Sequence, residues 1–178
     1  MSKDQIRKTM LGLRRSLSRK RRQQAETLAA DALQWLVQGS YPVLSFASFS
    51  SEISLWAVNG WLAQQGRLLL PKMTGEGLEI FSITDIKRDL QLSPLGILEP
   101  NPELCRLIAR EAIRLVFVPG VAFDCKQERL GYGKGCYDRF LSLSPLAHRM
   151  GVGFKEQLFE GDLPTASHDC KLDALHLF

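Results

Sequence analysis

Short apolar runs alternate along this chain with stretches of helical periodicity, and that alternation restricts the fold more than any other feature. Leu115-Val116-Phe117-Val118-Pro119 is apolar throughout and predicts a strand buried on both faces, as in a parallel sheet covered by helices. Val43 to Phe49 reads the same way. So does Leu68-Leu69-Leu70-Pro71, with the proline as its expected stop, while Leu78 to Ile83 alternates as a further strand. Arg149 to Phe154 and the tail Leu172 to Phe178 are the last two candidates. Between them Ile6, Met10, Leu13 and Leu17 recur at helical spacing and predict a helix over residues 2–16. Ser18 is a candidate N-cap for a helix over 19–38, with Leu28, Ala32, Trp35 and Leu36 on its apolar face and Gly39 closing it. Helices are also expected over 53–65, ending at Gly66, over 103–111, and from about Tyr137. Thr84 to Pro102 carries three prolines and reads as a long irregular loop. The sum is a single α/β domain with a mainly parallel sheet, in which ligands gather at the carboxyl ends of the strands.

Composition narrows the function. The chain has 178 residues, 45% hydrophobic and 24% charged, enough for one packed core. No stretch approaches the roughly 20 apolar residues of a membrane span, and the N-terminus has no apolar signal region, so a cytoplasmic protein is expected. Cys105, Cys125, Cys136 and Cys170 show no C-x-x-C spacing, and with only three histidines no zinc site is expected.

Charge is uneven. Nine of the 23 basic residues lie in the first 22 positions, against the single acid Asp4. On the first helix Lys3, Arg7 and Arg14 fall within a stripe about 40° wide, which can offer its charges to a polyanion or simply face solvent. The arm lacks the interleaved aromatics of a single-stranded nucleic-acid platform.

The chemistry concentrates after the strand that ends at Pro119. Arg129-Leu130-Gly131-Tyr132-Gly133-Lys134-Gly135-Cys136-Tyr137-Asp138 sets three glycines at alternate positions around a lysine, just before an expected helix. Such a loop brings backbone N–H groups, an ammonium and a helix N-terminus to one anion. It is not a Walker A loop, since Glu128 stands where the earlier glycine belongs and Gly135 follows the lysine. Asp138 is either a Mg²⁺ ligand or a first-turn acid on the helix dipole. Asp162, Asp169 and Asp173 each offer a second carboxylate.

Val118 to Asp124 followed by Arg129 to Asp138 resembles the signature of the 5-formyltetrahydrofolate cyclo-ligases, or methenyltetrahydrofolate synthetases. Lys3-Asp4-Gln5-Ile6-Arg7, Phe46 to Ile53, Gly153 to Gln157 and Asp169 to Asp173 resemble other parts of that family in the same order. The resemblance implies a three-layer α/β/α fold and conversion of 5-formyltetrahydrofolate to 5,10-methenyltetrahydrofolate at the expense of ATP, with Mg²⁺. It implies ATP contacts from Lys3, Asp4, Gln5, Ile6 and Arg7 and from Arg129, Leu130, Gly131, Tyr132, Gly133, Lys134, Gly135, Cys136 and Tyr137. Ala47, Glu52 and residues Tyr132 to Cys136 would meet the folate, with Glu52 on the pterin amide edge, and Asp138 and Asp173 would hold the metal. Cys136 departs from the aromatic residue usual in the family.

Phosphoryl transfer needs positioned positive charge, and Lys134 and Arg129 are the residues expected to supply it. The expected partners are small molecules, with no nucleic acid and no membrane, acted on by a monomer. Two rivals remain: a binding module that has lost turnover, and an ATP-dependent ligase or kinase for another small acid.

Overall fold

The computed structural model describes residues 1–94 and 96–178. Helix α1 (Lys3–Ser16) is capped by Ser2, whose hydroxyl accepts from Gln5 N while the Gln5 side chain accepts from Ser2 N. Ser18 caps α2 (Arg19–Leu36) as expected. There follow β1 (Val43–Leu44), α3 (Trp56–Gln64), β2 (Leu68–Met73), β3 (Leu78–Ile83), α4 (Ile86–Asp89), β4 (Leu90–Leu92), β5 (Leu98–Pro100), β6 (Arg106–Ile108) and β7 (Leu115–Val118). The chain ends with β8 (Ala122–Phe123), β9 (Arg129–Leu130), α5 (Cys136–Ser142), β10 (His148–Gly153) and β11 (Ala174–Leu177). No helix among the described residues is long and apolar enough to cross a membrane.

Seven strands form one sheet in the order β11-β10-β7-β1-β2-β3-β6. The first five are parallel, β3 is antiparallel to β2, and β6 is antiparallel to β3. Alternate residues of the central strands feed two cores. Val43, Leu68, Leu70, Leu115 and Phe117 pack with α2 and α3 on one face. Leu44, Leu69, Val116 and Val118 pack with Phe140 and Leu141 of α5 on the other. The result is the expected three-layer α/β arrangement. A third cluster, Ile6 and Met10 with Val121, Ala122, Leu130 and Leu163, seats α1 beside the end of β7.

Several expectations change. The apolar face of α2 is Ala25, Ala29, Leu33 and, just beyond the helix, Val37, all fully buried, whereas Leu28 and Trp35 are exposed. The two alanines let the helix approach the sheet closely, which Leu28 and Trp35 would prevent. The strand expected over 43–49 is only two residues long, and residues 45–49 are loop. Pro71 does not stop β2, because it pairs opposite Ile80. Arg67 and Leu69 give their carbonyls to Val43 N and Ser45 N. Pro71 is next on that side, where β1 has already ended, so no ladder bond needs its missing N–H.

The stretch expected as a loop over 84–102 holds α4 and the β4–β5 hairpin, and Leu95 within it lies outside the described residues. Asp85 caps α4 at Lys87 N and Arg88 N, and the Asp89 carboxylate accepts from Thr84 N and Asp85 N. These local side-chain bonds give order to a segment with little apolar periodicity. The helix expected over 103–111 is instead β6 with a 3-10 turn at Arg110–Ala112, and β6 closes the outer edge of β3.

Candidate functional site

A cleft of about 820 Å³ opens at the carboxyl ends of β1, β2 and β7. Lys3 and Arg7 of α1 and the loop 129–138 form one side of it. Phe46, Ala47, Phe49 and Glu52 form the other, and Met73, Leu78, Ile97 and Leu98 close the apolar end. The hairpin β4–β5 that the sequence presented as structureless therefore supplies a wall of the site.

Of the five residues Lys3 to Arg7, only the first and last line the cleft, since helical spacing brings i and i+4 to one face. Lys3 Nζ bonds Asp169 Oδ2 at 2.6 Å. Arg7 donates from Nε to Gly131 O at 2.8 Å and from Nη1 to Asp4 Oδ1 at 2.5 Å. Asp4 points to solvent, Gln5 serves the helix cap, and Ile6 is buried in the third core cluster. Arg14 leaves the cationic stripe altogether. It is 1% exposed, and lies on the buried ridge of α1 with Ile6 and Met10.

The glycine-rich loop turns where its sequence allows. Gly133 has φ 102° and Gly135, the N-cap of α5, has φ 64°, both in the region that favours glycine. A Cβ on Gly133 would stand 3.4 Å from Arg7 Cζ, so the missing side chain also admits the guanidinium. Lys134 is exposed on the cleft, and among the described residues its ammonium has no ion-pair partner. Cys136 and Tyr137 line the same wall, and burial pushes the Tyr137 hydroxyl well above its usual pKa.

Arg129, expected to supply charge to phosphoryl transfer, lines the cleft with its guanidinium engaged by protein groups. Its side chain is 4% exposed, and Nη2 bonds Asp138 Oδ1 at 2.7 Å. Its Nε is buried without a partner among the described residues. Asp138 Oδ1 also accepts from Cys170 N at 3.2 Å, which ties the 169–170 segment to the start of α5. Arg129 thus holds Asp138 from within the cleft wall, where Lys3, Arg7 and Lys134 are the more exposed cations.

Asp173 does not join Asp138. It is exposed at the start of β11, where its carboxylate accepts from Arg149 N at 2.7 Å and lies 3.8 Å from His148 Nδ1. That is the amino end of the parallel strands, whereas the cleft is at their carboxyl ends. The second aspartate on the cleft is Asp169, four residues earlier. Burial raises its pKa, but the bonds from Lys3 and from Ala166 N outweigh burial and hold it low, so it stays charged. The sequence offered Asp162, Asp169 and Asp173 alike, and only the chain path after β10 distinguishes them.

Glu52 is the acid of the apolar side. Burial pushes its carboxyl above the usual range, opposed by a bond from Phe49 N, by the charge of Arg14 and by the Tyr132 hydroxyl. A carboxylate in that condition gains from a ligand that donates hydrogen bonds to it. Among the described residues no group of three or more His, Cys, Asp or Glu side chains could hold a metal by itself. Asp138 uses one oxygen on Arg129, and its other oxygen has no protein partner among the described residues. Mg²⁺ usually takes one or two carboxylates together with phosphate oxygens and water, and Asp138 fits that donor set.

Comparisons with known proteins identify a family for the chain. A family model described as the 5-formyltetrahydrofolate cyclo-ligase family matches residues 1–177. A probable 5-formyltetrahydrofolate cyclo-ligase of Schizosaccharomyces pombe is 34% identical over 121 residues, which is 61% of this chain and 59% of the relative. The chain therefore aligns with less than two thirds of that relative's length. The solution structure of Aquifex aeolicus 5,10-methenyltetrahydrofolate synthetase superposes with a TM-score of 0.86 at 30% identity, over 98% of this chain and 89% of that one. A 5,10-methenyltetrahydrofolate synthetase from Mycoplasma pneumoniae, at 21% identity, shares the fold with a TM-score of 0.75 over 98% of both chains.

Proposed function

The chain belongs to the 5-formyltetrahydrofolate cyclo-ligase family, and on that premise we propose that it cyclises 5-formyltetrahydrofolate to 5,10-methenyltetrahydrofolate, converting ATP to ADP and phosphate. The observation that carries this reading is one continuous cleft with a cationic, amide-rich side and an apolar side on which Glu52 is half-buried. The first suits a triphosphate and the second a pterin, and the loop Tyr132 to Cys136 touches both.

The formyl oxygen of an amide is a poor leaving group. In the proposed reaction it attacks the γ-phosphorus as the bond to ADP breaks. N10 then attacks the formyl carbon and loses its proton, and the C–O bond breaks with its electron pair leaving on phosphate. Lys3 and Arg7 hold the phosphates, the amides of the 131–135 loop orient them, and Lys134 meets the charge that spreads over the transferring group. Arg129 fixes Asp138 rather than touching phosphate, with Glu52 taking the pterin amide edge and Phe46, Phe49 and Leu98 excluding water. Mg²⁺ on Asp138, with Asp169 on the same wall, would neutralise phosphate charge when bound. In this reading the working unit is a single catalytic domain acting as a monomer.

The test is the growth of methenyl absorbance after mixing protein, 5-formyltetrahydrofolate, ATP and Mg²⁺. Turnover that disappears without ATP and without Mg²⁺ is expected. Product formed at equal rate without ATP, or no product at all, would remove the reading.

A further inference from the structure

Helix α1 buries one ridge, Ile6, Met10 and Arg14, at i, i+4 and i+8. The first two are apolar and pack against Val121, Ala122, Leu130 and Leu163. A leucine or methionine at the third place would continue the ridge, yet the residue is an arginine, 1% exposed. A buried guanidinium is costly unless its donors are met. Here Nε bonds Ser51 Oγ at 3.0 Å, Nη1 bonds Gly120 O at 3.1 Å and Nη2 bonds the Tyr132 hydroxyl at 2.5 Å. None of these acceptors is a carboxylate. The acid that feels the charge is Glu52, next to Ser51, with the Tyr132 hydroxyl between the two.

The three acceptors belong to three segments: the loop that carries Glu52, the end of β7, and the phosphate loop. We propose that Arg14 is a positioning residue for the reaction, a buried fork that locks Tyr132 of the phosphate loop and the Ser51–Glu52 corner of the folate wall to the end of β7. The planar guanidinium presents donors in three fixed directions, so one side chain sets the distance between the two subsites. A lysine reaches one of the three acceptors with the same charge, and a methionine reaches none. The proposal rests on the cleft being the folate and ATP site.

The test is a double-mutant cycle on the full chain with Arg14→Lys, Tyr132→Phe and the pair, measuring both KM values, kcat and the melting midpoint. Arg14→Lys should raise KM for 5-formyltetrahydrofolate and for ATP by about tenfold each, the usual scale for hydrogen bonds to a charged group. Lys134 and Asp138 are untouched, so kcat should fall by less than about threefold. Tyr132→Phe should raise the folate KM with only a small drop in melting midpoint, since one of the guanidinium's three acceptors is lost. The double variant should be no worse than the worse single, because both remove one link. Lower melting of Arg14→Lys with unchanged KM values, or KM effects that simply multiply, would make Arg14 a structural residue and overturn the proposal. Should Arg14→Lys not fold, Arg14→Met takes its place in the cycle, since it restores the apolar ridge. Absence of turnover in the unmodified protein instead overturns the reading of the cleft, and this proposal with it.

Discussion

Asp89 and Glu52 are both carboxylates withdrawn from water, and the fold treats them in opposite ways. Burial alone raises the pKa of Asp89, but the bond from Arg88 and the amides of Asp85 and Thr84 outweigh it and bring it down to about 2. Its two oxygens accept from Thr84 N, Thr84 Oγ1, Asp85 N and Arg88 Nε. Burial wins at Glu52, whose carboxyl is pushed up because Phe49 N, the charge of Arg14 and the Tyr132 hydroxyl only partly answer it. One acid is used up by the frame of the protein. The other keeps acceptor capacity for something outside the chain, and that difference separates frame from site more sharply than burial does.

The strongest way to break the contrast is to remove the frame acid. Asp89→Ala removes a buried carboxylate that accepts from the amides of Thr84 and Asp85, and a loss of about 2 kcal/mol in unfolding free energy is expected. Arg88 is 59% exposed, so its share is screened and small. Urea titration of the variant checks this. The pH dependence has a defined sign: the pKa is depressed from 3.8 to about 2, so the stability Asp89 provides is complete above the ordinary value and is lost as pH falls toward 2. A variant whose stability matched the unmodified protein at neutral pH would erase the distinction.

The converse change is Lys134→Ala. Lys134 is exposed and in no ion pair among the described residues, so the fold should not depend on it. Turnover should drop by about 10²-fold or more, the scale of losing one preorganised donor to developing charge. Equal melting midpoints with that loss would place Lys134 wholly on the cleft side, and near-normal ring closure would take it out of the mechanism.

Glu52→Gln is subtler and tests the contrast at its centre. Folate affinity should weaken by about tenfold while ATP affinity stays, as for one charge-assisted pair replaced by a neutral one. Since burial raises the pKa of Glu52, its ionised form is held at a cost near neutral pH, and the amide should melt higher than the acid. In the unmodified protein folate affinity should decline as pH drops through that raised pKa, and in the amide the decline should vanish. Unaltered folate affinity in the variant, read by titration, would remove Glu52 from the pocket.

Residues with a strong local reason to be where they are were legible in the sequence. Leu115 to Val118 is apolar throughout and forms the expected buried strand. Gly131 to Gly135 announces the glycine turn that leads into α5, and Ser18 announces a helix start. Where position depends on what the chain meets later, the sequence was silent or misleading. Arg14 follows Ile6 and Met10 at i+4, which marks the buried face of α1, yet its charge pointed to the surface. Leu28 and Trp35 outweigh Ala25 and Ala29 in hydrophobicity, but the sheet selects the small residues because they pack closer. The β4–β5 hairpin has no periodicity to detect, and the capping acids that order its approach, Asp85 and Asp89, look like ordinary loop residues.

Asp173 gives the smallest expected effect and the cleanest separation of chain position from spatial position. It lies four residues from Asp169, yet a strand direction divides them. Asp169 meets Lys3 at 2.6 Å on the cleft, while Asp173 has turned to the amino end of β10 and receives Arg149 N. A surface carboxylate bonded to one exposed amide contributes little to stability and nothing to a ligand at the far end of the sheet. Asp173→Asn should therefore keep turnover within about twofold and leave the Mg²⁺ concentration for half-maximal rate unchanged, by the usual scale of surface substitutions. Asp138→Asn should raise that concentration at least about tenfold, since it weakens the cleft acid proposed to hold Mg²⁺. If Mg²⁺ demand moved with Asp173 instead, the metal would not sit where β7 ends and α5 begins, and Arg129 would be holding Asp138 for the frame alone.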